Sequence, residues 1–71
     1  MDEYELFARE CMKQIAVRGW TQSKAADMSG ASLGQLNRLL NGEGNISARR
    51  MFDLARTLGI DLGAIQKEAA S

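Results

Sequence analysis

The 71 residues allow one domain at most, and a chain this short buries only about 60% of its unfolded surface, so a modest stability is expected, to which a partner would add. Hydrophobic residues at 45% and charged residues at 25% fit a globular domain, no apolar run approaches the ~20 residues of a membrane span, and the acidic start Met1-Asp2-Glu3 does not read as a secretory signal. The net charge is zero, the one cysteine excludes an internal disulfide, and the lack of histidine removes a zinc ligand and the usual general base; no catalytic residue, metal or cofactor is expected.

Without proline, valine/isoleucine-rich alternation or a hairpin turn, strands are not expected, and the pattern predicts an all-α chain of five helices. The first runs from about Glu3 to Arg18. Asp2 and Glu5 suggest a capping box, and Tyr4, Phe7, Ala8, Cys11, Met12 and Ile15 recur at helical spacing. Cys11 on this stripe reads as a core residue in a reducing compartment, and Trp20, just past the Gly19 stop, as a partly buried packing residue. Thr21 caps a second helix, Gln22 to about Ser29, stopped by Gly30. Ser32 caps a third, Leu33 to Asn41, with Gln35 completing a capping box and Gly42 ending it. Only Gly30-Ala31-Ser32 separates these two helices, which makes a tight corner. After the loop Gly42-Glu43-Gly44-Asn45, Ser47 caps a fourth helix, Ala48 to Leu58, with Ile46 and Met51 as a hydrophobic staple and Met51, Leu54, Ala55 and Leu58 as its buried stripe. Gly59 stops it. Asp61 caps a short last helix with Leu62, Ile65 and Ala69 on one face.

The charges are unevenly placed. From Lys13 to Arg56 seven bases face three acids, a balance of +4, and the two ends carry −4. The helix starts repeat the asymmetry. A helix N-terminus is electropositive and favours acids. The outer helices comply with Asp2, Glu3, Glu5 and Asp61, but the middle three begin Gln22-Ser23-Lys24, Leu33-Gly34-Gln35 and Ala48-Arg49-Arg50, with no acid. A base at that end costs a few tenths to ~1 kcal/mol, a cost that makes sense if an external anion such as phosphate completes the site.

The corner from Gln22 to Gly42 carries Ala26 where two helices cross, Gly30 four residues on for a left-handed turn, and Leu36 and Leu39 as anchors. With Thr21-Gln22 before it, Leu40-Asn41-Gly42 and Gly44-Asn45-Ile46-Ser47 after it, and the pairs Leu54-Ala55 and Leu58-Gly59, it resembles the helix-turn-helix of the Cro and phage-repressor family, also called XRE-type, over roughly Val17 to Leu62. The resemblance implies a compact five-helix bundle, a lambda-repressor-like DNA-binding domain, filling residues 1–71 as one domain with its motif at 22–41. It also implies a third helix in the major groove of double-stranded DNA. Gln22 would then sit beside a phosphate, Ser32, Leu33, Gly34, Asn37 and Arg38 would face the groove, and Asn41 and Asn45 would approach the backbone. The helix-start argument adds Arg49 and Arg50 as phosphate contacts. Ser29 departs from the family's usual apolar residue, and Met28 is expected to turn inward in its place. Leu33 and Gly34 replace common hydrogen-bonding base readers, so direct readout would fall on Ser32, Asn37 and Arg38.

Two functions compete. The first is a small sequence-specific transcription regulator, a Cro-like repressor or controller protein, cytoplasmic in a bacterium or phage. Family members pair across half-sites about 10 bp apart, so a homodimer is expected, with Phe52, Ile60, Leu62, Ile65 and Ala69 as the interface. The second is an antitoxin or anti-repressor on the same fold, acting mainly through a protein partner such as a toxin or repressor; a pI near 6.2 and the acidic ends fit it. An enzyme is not expected, because Cys11 and Ser32 have no histidine base. Gly30-Ala31-Ser32-Leu33 faintly resembles the phosphopantetheine serine of carrier proteins, but alanine stands where an aspartate belongs, and the chain is not strongly acidic.

Overall fold

The computed structural model describes residues 2–43 and 46–71. Five helices follow in order: α1 Glu3–Val17, α2 Gln22–Ser29, α3 Leu33–Leu40, α4 Ala48–Leu58 and α5 Leu62–Ala70. Each begins at a residue whose side chain accepts a hydrogen bond from a backbone N–H of the first turn, which is why the boundaries were readable. Thr21 Oγ1 accepts from Lys24 N at 3.1 Å, Ser47 Oγ from Arg50 N at 3.2 Å and Asp61 Oδ1 from Ala64 N at 3.2 Å. At α3 the box is reciprocal: Gln35 N donates to Ser32 Oγ at 3.1 Å and Ser32 N donates to Gln35 Oε1 at 3.0 Å. The box expected at α1 is not made. Tyr4 N donates to Asp2 Oδ1 at 3.2 Å while Glu5 stays exposed, since reaching back would set two carboxylates side by side.

The core lies where α1 packs on α3, α4 and α5 while α2 packs on α3 and α4. Phe7, Cys11, Leu36, Leu54 and Leu58 are its largest fully buried side chains, with Ala8, Ile15, Ala25, Ala26, Leu39, Ala55 and Ile65 around them. Ala25 and Ala26 sit side by side under the α2–α3 corner, where larger side chains would hold the helices apart. Trp20 is half-buried against this core, and the Arg18 guanidinium stands 5.7 Å from its ring centroid. Ile46 and Met51, the two halves of the expected staple, both pack against the core as half-buried residues.

Two residues of the α1 stripe lie outside it. Tyr4, in the first turn, is 38% exposed, and Met12, on the edge of the stripe, is 48% exposed. The expectation for Met28 is also reversed. Ser29 is the residue that turns inward, and Met28 is 52% exposed. The inward serine is tolerated because its hydroxyl bonds its own helix, reaching Ala25 O at 2.8 Å and Ala26 O at 3.1 Å, so no buried polar group is left unpaired.

Candidate nucleic-acid interface

The corner between α2 and α3 is fixed by its backbone. Gly30 takes φ of +74°, a left-handed conformation that costs a glycine little. Ala31 N then donates to Ala26 O at 3.0 Å and Gly30 N to Asp27 O at 3.3 Å, which satisfies the last carbonyls of α2 and turns the chain into Ser32. Helix α3 is therefore held at its start by the capping box and along its length by Leu36 and Leu39, both buried. Its opposite stripe, at spacings i, i+3, i+4 and i+7, is Gly34, Asn37, Arg38 and Asn41. Gly34, Arg38 and Asn41 are exposed and Asn37 is half-buried. Leu33, the first helical residue, is 42% exposed and takes no part in the core. Ser32 is exposed but tied down through the box.

Gln22, Ser23 and Lys24, in the first turn of α2, are all exposed. Neither α2, α3 nor α4 has an acid in its first turn. At the start of α4 the two arginines part ways. Arg49 is exposed, whereas Arg50 is half-buried and turned back on the protein: its Nη1 lies 3.6 Å from Asp53 Oδ2 and would touch a methyl placed on Gly30 at 3.4 Å. Asp53 also accepts from Arg56 Nη2 at 2.8 Å. Arg50, expected as a phosphate contact, thus has a carboxylate three residues on that draws its guanidinium towards the protein, which Arg49 lacks. The i, i+3 spacing of Arg50, Asp53 and Arg56 is the sequence signal of this pairing. Asn45 lies outside the described residues.

Of the residues expected at a dimer interface, Phe52 is 62% exposed, while Ile60, Leu62 and Ala69 are half-buried. Ile65 is 8% exposed and belongs to the monomer core, where it packs between α5 and α1. Beside Phe52 an apolar depression of about 410 Å³ runs between α1, α4 and α5, floored by Phe7, Met51, Leu62 and Ile65.

Cys11 is fully buried on α1. Burial, helped by the charge of neighbouring Glu10, pushes its thiol up from 9.0 to about 12, so it stays protonated and is no nucleophile at neutral pH.

A short corner locked by a left-handed glycine, a following helix anchored on one side and open on the other, and three supporting helices define a helix-turn-helix domain. The chain matches the helix-turn-helix family over residues 12–65, from the middle of α1 into α5, and belongs to that family, of the XRE type, whose members are DNA-binding transcription regulators. No curated protein and no solved structure gives a significant match. No helix among the described residues is long and apolar enough to cross a membrane.

Proposed function

We propose that this chain is a sequence-specific regulator of transcription that binds double-stranded DNA as a two-fold dimer, in the manner of a small Cro-like repressor or controller protein in the cytoplasm of a bacterium or phage. The observation that carries the reading is the split of α3: Leu36 and Leu39 are buried on one side, and Gly34, Arg38 and Asn41 stand exposed on the other. A helix anchored this way at a helix-turn-helix corner lays its open stripe along base edges. Arg38 and Asn37 supply hydrogen bonds, and Gln22, Lys24, Asn41 and Arg49 meet phosphates, helped by electropositive helix starts.

One domain of this size spans few base pairs, so affinity needs a second half-site. For the dimer, exposed Phe52 with half-buried Leu62, at the rim of the apolar depression, is the favoured contact, and Ile65 supports it from beneath. Selection of duplexes from a random pool, followed by titration at two salt concentrations, tests the reading. A palindromic winner bound at about 10⁻⁸ M or weaker, with affinity falling steeply as salt rises, is the expected result. Failure to enrich any duplex at low salt overturns it and leaves the antitoxin or anti-repressor reading, in which an apolar protein interface is insensitive to salt.

A further inference from the structure

We propose that Leu33 reads the C5-methyl group of a pyrimidine in the major groove, so that one position in each half-site accepts thymine or 5-methylcytosine and discriminates against uracil and unmodified cytosine. The proposal rests on the DNA-binding reading above and names what the tip of α3 recognises.

The tip of α3 has its polar side chains engaged on itself. Ser32 Oγ accepts from Gln35 N, and Gln35 Oε1 accepts from Ser32 N, so these acceptors point at the helix's own backbone. The next two residues, Leu33 and Gly34, carry no hydrogen-bonding side chain at all. Leu33 is 42% exposed and is not one of the buried core residues, so a large part of its side chain is open to a partner. Gly34 follows it with open space where a side chain would be, since a methyl there meets nothing within 4 Å. The leading end of this helix is therefore an apolar knob beside a gap that permits close approach.

The major-groove edges of the four base pairs offer one apolar feature, the C5-methyl of thymine. A leucine gains by covering that methyl and gains nothing from the hydrogen-bonding groups beside it. It is thus indifferent to the exchange of the thymine O4 acceptor for the cytosine N4 donor, and 5-methylcytosine presents the same methyl at the same ring position. Arg38, five residues and about 1.4 turns further along, carries the charged readout at a separate base pair.

The test uses the duplex enriched from the random pool. Each thymine is replaced in turn by deoxyuridine, which deletes a methyl and changes no hydrogen bond, and the key position is then rebuilt as a C·G pair with and without the cytosine methyl. For the wild-type protein, removal of one methyl per half-site is expected to weaken binding about fourfold, the equivalent of ~0.8 kcal/mol, and about 15-fold when both half-sites are changed. 5-Methylcytosine should bind better than cytosine at that position by the same factor. Leu33→Ala should bind the thymine and uracil duplexes equally while remaining folded at the temperature of the titration. The proposal is overturned if every thymine-to-uracil exchange is silent in the wild type, or if Leu33→Ala keeps the discrimination. Either result leaves DNA binding standing, because the parent duplex is still bound; absence of any bound duplex removes both readings together.

Discussion

Replacing Gly34 by alanine should make the protein more stable and a poorer DNA binder at once. Gly34 is the second residue of α3, lies in ordinary helical backbone, and has room for a methyl that would meet no atom within 4 Å beyond its own helix's backbone. Alanine there pays no steric cost in the free protein and lowers the entropy lost on folding, a gain of about 0.8–1.0 kcal/mol in a helix interior and about half that in a first turn. At 4–8 °C per kcal/mol for a domain of this size, the melting temperature should rise by roughly 2–4 °C. If α3 leads into the major groove, the same methyl occupies space that the bases need. The helix must then back away and lose contacts worth about 1–3 kcal/mol each, at least about a fivefold fall in affinity. Thermal unfolding followed by circular dichroism and titration of the selected duplex measure the two effects on one sample. A fall in melting temperature would show that the tip of α3 is tighter than its geometry implies. A rise with unchanged affinity would show that Gly34 stands clear of the DNA, and the placement of α3 would have to be abandoned.

Arg38→Ala should cost about 1–3 kcal/mol of binding and relax preference at one or two base pairs, whereas Arg49→Ala should weaken all sequences alike and reduce the salt slope by about one. Arg50→Ala should alter DNA binding less than Arg49→Ala and instead cost at most ~1 kcal/mol of stability, since Arg50 is paired with Asp53; parallel binding and melting series check both, and equal binding losses at the two arginines would refute the distinction. In sedimentation, Phe52→Glu should yield a folded monomer, while Ile65→Asp should unfold the chain because Ile65 is buried; a folded, dimeric Phe52→Glu protein would move the interface elsewhere. The raised thiol of Cys11 is neutral in the fold and ionises more readily once unfolded, so its contribution is fully present below pH 9.0 and is lost as pH rises towards about 12, with a slope that Cys11→Ala should remove from denaturation curves.

The helix boundaries were legible because they are written locally. Thr21, Ser32, Ser47 and Asp61 each cap by a bond three residues on, and Gly30 takes a conformation that disfavours other residues. Side-chain direction was less legible, because it depends on what stands opposite. Tyr4 and Met12 fit the apolar period of α1, but both are left partly open to solvent. Ser29 defied hydropathy because bonding within α2 satisfies its hydroxyl, a compensation that is plain only when the backbone carbonyls are placed. Ile65 could have closed the core or met a partner, and the packing of α5 on α1 decided for the core. The candidate DNA contacts came from a resemblance that fixes positions but not chemistry. The helix-start argument treats Arg49 and Arg50 alike, and only the reach to Asp53 separates them.

Exposure of large apolar groups deserves weighing by place rather than by amount. Val17 at 72%, Met28 at 52% and Met12 at 48% are as open as Leu33 and Phe52, and single apolar residues on a surface are ordinary. The distinction lies in what adjoins them. Leu33 occupies the tip of a helix whose polar neighbours are engaged on themselves and whose next residue is a glycine with open space above it. Phe52 stands over an apolar depression on the helix that also carries Arg49. Helix α4 therefore presents an exposed cation in its first turn and an exposed aromatic ring three residues later, close to one turn away. A dimer contact made through Phe52 would fix the position of Arg49 relative to its copy in the other protomer, so one short helix would set both the spacing of the half-sites and the grip on the phosphates between them. Loss of the dimer would on this argument weaken binding through geometry as well as through the lost second site, which is why Phe52→Glu should reduce affinity for the palindrome far more than for a single half-site.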